Sequence, residues 1–179
     1  MEQIEVELRS FLTKSQFLKL LRFFKRNAKF LGEDYQVTYY FDAPLDLRIQ
    51  KGRTYAKIWM KSGKIHEEKR EEIEIFCKRD DFSKLEKLFI LLGYKIKAKW
   101  YRKRRKFRWE GVNVMLDYTR GYGYIIELEK VVRDPKRRER ALKILRKKFE
   151  KLGINPTPKE EFDKKYKWYL KNWRRILKS

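Results

Sequence analysis

The sequence predicts an α+β fold: a closed eight-stranded antiparallel β-barrel with helices packed outside it. Three observations carry this. Eight segments alternate polar and apolar residues with period two, the spacing of a strand with two different faces. Short Gly- or Pro-containing connections join most of them, which makes successive strands antiparallel neighbours. Segments with helical spacing interrupt the series after the first and fifth strands and follow the last. Closing eight strands into a barrel also removes exposed sheet edges.

The first strand is expected from Glu2 to Phe11, with Ile4, Val6 and Leu8 opposite Glu5, Glu7 and Arg9. Ser15 to Leu31 has Phe17, Leu18, Leu21, Phe24, Ala28 and Leu31 at helical spacing, with Gly32 as the stop. Strands follow at Val37–Asp42, Leu45–Gln50, Arg53–Lys61 and Lys69–Cys77. Asp80-Asp81 opens a helix through Leu92, closed by Gly93. Tyr94–Trp109, Val112–Thr119 and Tyr124–Val132 complete the strands, and Gly121-Tyr122-Gly123 reads as the turn between the last two. Asp134-Pro135 is an N-cap followed by proline in the first turn, starting a helix to about Leu152. Lys159 to Leu177 reads as a terminal helix.

The 179 residues suit one domain, 1–179, with a basic helical segment at 134–179. Hydrophobic residues are 42% and aromatic residues 16%, enough for a packed core and too many for a disordered chain. No apolar run approaches a membrane span, and the N-terminus lacks the basic and apolar regions of a signal peptide, so a cytoplasmic protein without membrane contact is expected. Cys77 alone makes no internal disulfide, and with the lone His66 it completes no Cys/His zinc site. Abundant Lys, Glu and Arg beside four Asn and four Gln match heat-adapted proteins.

There are 48 Lys and Arg against 25 Asp and Glu, a net charge of +23, which points to an anionic partner. Within the strands one set of faces carries Glu5, Glu7, Arg9; Arg48, Gln50; Lys57, Trp59, Lys61; Arg70, Glu72, Glu74; Arg102, Arg104; Asn113, Met115, Asp117; and Glu127, Glu129. The opposite faces are apolar. Helices need apolar surface to pack on, so the apolar faces turn outward beneath them and the charged faces line the lumen. Alternating charge on a single strand is ordinarily a solvated face with cross-strand ion pairs; seven strands with the same pattern suggest more. Glu5 and Glu7, about 6.5–7 Å apart along a strand, repel by roughly 2–3 kcal/mol at an effective dielectric of 20. Glu127 and Glu129 repeat that arrangement. Gathered carboxylates suit hard divalent cations. The cations suit a chain of phosphates.

These segments resemble, in order, the motifs of the CYTH superfamily of triphosphate tunnel metalloenzymes. The opening E-x-E-x-K appears as Glu5-Val6-Glu7-Leu8-Arg9, with Arg for Lys. Tyr40-Phe41-Asp42, Leu47-Arg48-Ile49-Gln50, Ile58-Trp59-Met60-Lys61 and Arg70-Glu71-Glu72-Ile73-Glu74 follow. Then come Arg102-Lys103-Arg104-Arg105-Lys106-Phe107, Met115-Leu116-Asp117 and Gly123-Tyr124-Ile125-Ile126-Glu127-Leu128-Glu129. Gln50 replaces an arginine of the pattern, and Trp59 stands where a small hydroxyl residue is usual. The resemblance implies an eight-stranded tunnel that binds a triphosphate with Mg²⁺ or Mn²⁺. Glu5, Glu7, Glu127 and Glu129 would hold the metal, with Asp117 and Glu72 assisting. Arg9, Arg48, Lys61, Arg70, Arg102 and Arg104 would contact phosphate, with Lys61, Arg70 and Glu72 nearest the chemistry. Lys57 shares the strand face of Lys61 and reads either as a further phosphate contact or as a rim charge.

Three functions fit these expectations. The first is a hydrolase of inorganic triphosphate or of nucleoside and organic triphosphates. The second is a class IV adenylate cyclase making cyclic AMP and pyrophosphate from ATP. The third is a polyphosphate- or nucleic-acid-binding protein without turnover. Residues 134–179 carry 17 Lys or Arg against 6 Asp or Glu. That charge reads first as a solvated helical surface; the alternative is steering of anionic substrate or docking of polyphosphate or nucleic acid, with Trp168, Tyr169 and Trp173 stacking on bases or, as is commoner at helical spacing, packing the helix. The chain is expected to act as a monomer or homodimer. Arg104→Ala is expected to weaken triphosphate binding and leave the fold intact.

Overall fold

A computed structural model describes residues 4–61 and 72–178. His66 and Arg70 lie outside the described residues. The chain runs β1 (Ile4–Leu12), α1 (Lys14–Asn27), β2 (Lys29–Phe41), β3 (Asp46–Lys51), β4 (Tyr55–Lys61), β5 (Glu72–Lys78), α2 (Phe82–Leu91), β6 (Ile96–Trp109), β7 (Val112–Thr119), β8 (Gly123–Val132), α3 (Arg138–Lys151) and α4 (Lys159–Lys178). Short 3₁₀ turns, Arg79–Asp81 and Pro135–Arg137, lead into α2 and α3.

The eight strands form one antiparallel sheet in the order β1-β8-β7-β6-β2-β3-β4-β5. The expected closed barrel is corrected here: among the described residues β1 and β5 end the order and share no ladder. Strand length falls from 14 residues in β6 to six or seven in β3, β4 and β5. A closed barrel needs tilted, staggered strands whose edges meet in register, and charged side chains on an edge strand discourage that pairing. β5 carries Glu74 and Lys78 on such an edge.

The expected stop of α1 is also corrected. Ala28 is already extended (φ −139°, ψ 153°), and β2 begins at Lys29. Phe30 and Leu31 continue the helical spacing of the sequence, yet Phe30 packs on Phe107 with ring centroids 5.3 Å apart. The start of α1 is fixed by a capping box: Gln16 N–H donates to Thr13 Oγ1 (3.2 Å), and Thr13 N–H donates to Gln16 Oε1 (2.8 Å). Asp134 caps the turn before α3 as expected, accepting from the Lys136 N–H at 2.9 Å.

The chain divides into two compact units, Met1–Glu33 with Arg104–Lys167 and Asp34–Lys103 with Trp168–Ser179. In the first, the apolar faces of β1, β7 and β8 supply Val6, Val114, Leu116, Ile126 and Leu128. They pack against Phe17, Leu20 and Phe24 of α1 and Ala141, Leu145 and Phe149 of α3. This is the expected arrangement of helices on the apolar face. Leu128 is fully buried there; Leu128→Ala is expected to cost about 2–5 kcal/mol, read by urea melts.

In the second unit, Tyr39, Phe41, Ile49 and Ala56 pack against Phe82, Leu85 and Phe89 of α2. The end of α4 is anchored by Tyr169, whose hydroxyl donates to the Lys99 carbonyl at 2.7 Å and whose ring meets Trp100 edge-on. Tyr169 and Trp173 are buried and Trp168 is 47% exposed, so two of these three side chains pack rather than face solvent. Among the described residues no helix is long and apolar enough to cross a membrane.

Candidate functional site

Register decides which charged residues meet. In the first unit β1 pairs with β8 so that Glu7 lies opposite Glu129 and Arg9 opposite Glu127. β8 pairs with β7 so that Glu129 meets Asn113 and Glu127 meets Met115. Glu5 stands opposite Val131, and Phe11 opposite Ile125, which pairs in turn with Asp117. Directly opposed residues share a face. The predicted charged faces of these three strands therefore form one surface, turned away from the core.

The surface is graded. Glu7 and Arg9 side chains are 42% and 33% exposed and 3.5 Å apart. Asp117, Glu127 and Arg104 are nearly enclosed, at 4%, 13% and 15%. Arg104 forks onto Asp117, with Nε 2.9 Å from Oδ1 and Nη2 2.7 Å from Oδ2, and its Nη2 lies 3.7 Å from Glu127 Oε2. Burial works against the Arg104 charge, but Asp117 and then Glu127 outweigh it and hold the guanidinium protonated more firmly than usual. Burial pushes the Glu127 carboxyl above its ordinary range. Arg104 opposes that shift, and the Glu7 and Asp117 carboxylates add to it. Asn113 Nδ2 donates to Glu129 Oε1 at 2.8 Å, while Arg108 holds the Asn113 oxygen at 2.7 Å.

Among the described residues no three acidic, histidine or cysteine side chains converge as a ready metal cage. Arg104 bridges Asp117 and Glu127, and Arg9 draws Glu7. The donor set nonetheless fits a hard divalent cation. It offers carboxylate oxygens only, it opposes Glu7 to Glu129 with like charge, and it keeps Glu127 buried against two further carboxylates.

In the second unit the rows are Tyr40, Arg48, Trp59, Glu74 and Thr38, Gln50, Lys57, Phe76. Arg48 donates Nε to Asp46 Oδ1 at 2.7 Å, makes a second bond from Nη2 to Oδ2, and lies 4.5 Å from the ring centres of both Tyr40 and Trp59. Lys57 is buried, pairs with Glu74 and sits 4.4 Å over Trp59. Arg102 donates twice to Gln36 Oε1, at 2.9 and 2.6 Å. Gln36 passes its own N–H to Asp34 at 3.0 Å. Register sets Lys61 opposite both Asp46 and Glu72.

Asp46 and Gln36, which hold Arg48 and Arg102, were not among the expected site residues. Asp46 was visible in the pattern, two residues before Arg48 on the same strand face. Nothing in the local sequence marks Gln36. Gln50, where the pattern has arginine, is buried, donating to Thr38 at 2.8 Å and accepting from the Tyr55 hydroxyl at 3.1 Å.

A CYTH domain model matches residues 3–161. The chain belongs to the CYTH family. Its fold is similar to that of a conserved Pyrococcus furiosus protein, with a TM-score of 0.69, 27% identity, and coverage of 84% of this chain and 91% of that one. The PH1819 protein of Pyrococcus horikoshii gives 0.68 and 26%, covering 85% and 92%. HpAC1 from Hippeastrum, described as an adenylyl cyclase candidate with a dominant triphosphatase activity, shares the fold at a TM-score of 0.64 and 20% identity, covering 89% and 94%. No curated protein matches the sequence. As a CYTH chain, this one has its acidic pairs Glu5/Glu7 and Glu127/Glu129 on adjacent antiparallel strands.

Proposed function

We propose that this CYTH protein is a metal-dependent phosphohydrolase of inorganic triphosphate or of nucleoside and organic triphosphates. The carrying observation is the register that sets Glu7 against Glu129 and Arg9 against Glu127 on the surface facing away from the core. Glu5, Glu7, Glu127 and Glu129, with Asp117, would hold Mg²⁺ or Mn²⁺. When bound, the metal neutralises phosphate oxygens and favours in-line attack by water.

The chain's own cations bind and orient the phosphates: Arg9 and Arg104 in the first unit, Arg48, Lys57, Lys61 and Arg102 in the second. Arg70 joins them on the strength of the family motif. Arg48 and Arg104 are already clamped by Asp46 and Asp117, which fixes the planes of their guanidinium groups. Glu72, with Lys61 and Arg70, is assigned nearest the reacting phosphoryl group. Water adds to phosphorus as the P–O bond to the leaving phosphate breaks, giving phosphate and diphosphate from triphosphate. Hydrolysis makes the simpler chemical demand, since its nucleophile is water rather than a positioned ribose hydroxyl, and this favours it over cyclisation.

The test is incubation with triphosphate and with ATP, plus Mg²⁺ or Mn²⁺, and separation of products by anion-exchange chromatography. Phosphate without cyclic AMP is expected. Cyclic AMP with pyrophosphate would replace hydrolysis by cyclisation, and no product from either would defeat both. Glu129→Gln is expected to lower kcat/KM by about a hundredfold or more, as loss of a charged group that stabilises transition-state charge does.

A further inference from the structure

Rings and cations alternate along one row of the second unit. Register sets Tyr40, Arg48, Trp59 and Glu74 side by side on β2, β3, β4 and β5. Lys57 lies two positions before Trp59 and shares its strand face. Arg48 lies 4.5 Å from the ring centres of both Tyr40 and Trp59. The Lys57 ammonium lies 4.4 Å from the Trp59 ring and 5.7 Å from that of Phe76. The order is therefore Tyr40, Arg48, Trp59, Lys57, Phe76. Its Tyr40 end is braced: that ring meets Trp100 edge-on at 6.2 Å, and Trp100 meets the fully buried Tyr169 at 4.9 Å.

Trp59 is the centre of this ladder, with both cations over its ring. An arginine or lysine on an open strand face samples many rotamers, and ordering it on a ligand costs entropy. Here the ordering is built into the fold. Asp46 forks onto the Arg48 guanidinium, a ring from each neighbouring strand flanks it, and Glu74 pairs with Lys57 between two further rings. Such cation–ring contacts strengthen where water is excluded, and the side chains of Arg48, Asp46 and Lys57 are all enclosed. The small hydroxyl residue usual at position 59 would leave the two cations without a ring between them. Gln50, in place of an arginine, is bonded to Thr38 and Tyr55, which leaves Arg48 as the arginine of β3.

We propose that Trp59 is a positioning residue, whose ring holds Arg48 and Lys57 in the arrangement that receives phosphate oxyanions. It acts through these two cations and not on the reacting phosphorus. The assignment rests on the triphosphate reading above.

Steady-state hydrolysis of inorganic triphosphate with Mg²⁺ by the full chain tests this. Arg48 and Lys57 are not among the residues assigned nearest the reacting phosphoryl group. They are expected to bind ground state and transition state alike, so losing their alignment raises KM and spares kcat. Trp59→Leu is expected to raise KM about tenfold, equivalent to about 1.4 kcal/mol, with kcat nearly unchanged. Trp59→Phe keeps a ring face and should restore most of the parent KM. A role confined to packing reads differently: a destabilised chain loses active protein, so kcat falls while KM holds. Tyr40→Leu removes the ring on the other side of Arg48 and should raise KM likewise, which keeps the test open if Trp59→Leu does not fold. Parent-like KM in the folded variants, or a loss confined to kcat, overturns the assignment and leaves the triphosphate reading standing. Failure of the parent itself to turn over triphosphate overturns both.

Discussion

Arg104→Ala should lower the melting temperature of the metal-free protein by about 10 °C, far more than loss of a surface cation would. Arg104 forks onto Asp117 and reaches Glu127 with little solvent around any of the three. Removing one member of an enclosed ion pair leaves the other charged and unpaired, which costs about 3–5 kcal/mol. For a chain of this size each kcal/mol moves the midpoint by about 2–4 °C. The expectation that this variant would weaken triphosphate binding with an intact fold therefore changes in its second half. Two controls identify the cause. Adding Asp117→Asn to the variant should restore much of the lost stability, because an amide tolerates enclosure better than an unpaired carboxylate. The deficit should also shrink as pH falls and Glu127, whose carboxyl burial already holds above its ordinary range, takes up a proton. A small, pH-independent loss would mean the guanidinium matters only for packing.

How the sequence encodes this site is uneven. Period-two alternation placed Glu5, Glu7, Arg9, Glu127 and Glu129 on one strand face each, and strand pairing brought those faces together through Glu7–Glu129 and Arg9–Glu127. The apolar partners Val6, Leu128 and Ile126 could be read the same way, because a face that buries must be apolar at every second position. What alternation does not encode is which cation takes which acid. Alternation put seven cations on the charged faces without saying which acids they meet, yet Arg104, Arg48 and Lys57 each hold a carboxylate. Those pairings depend on side-chain reach across and along strands. Barrel closure failed as an expectation for a related reason. Strand count sets what is possible, but edge pairing depends on strand lengths and edge charges that alternation does not weigh.

Glu127→Gln should move stability and activity in opposite directions. Burial, with Glu7 and Asp117 nearby, holds the Glu127 carboxyl above its ordinary value despite Arg104. A carboxyl whose folded value is raised binds its proton more tightly in the folded chain than in the unfolded one. Its contribution is then most favourable below the unfolded value and is lost as pH rises through the folded value. At neutral pH and without metal, the neutral glutamine removes that penalty, so the variant should melt a few degrees above the parent. The difference should vanish at pH below the ordinary glutamate range and grow as pH rises. With Mn²⁺ the order should reverse. A cation that binds the folded parent stabilises it by about 2.7 kcal/mol at a hundred times its dissociation constant, and the variant should gain much less. Turnover of triphosphate should fall by about a hundredfold or more, the scale of losing a group that stabilises charge in the transition state. Thermal melts in EDTA and in Mn²⁺ from pH 4 to 8, beside the chromatographic assay, read all of these. Equal Mn²⁺ stabilisation of parent and variant would remove Glu127 from the metal site. An unchanged melting temperature in EDTA would show that its enclosed charge costs the fold nothing.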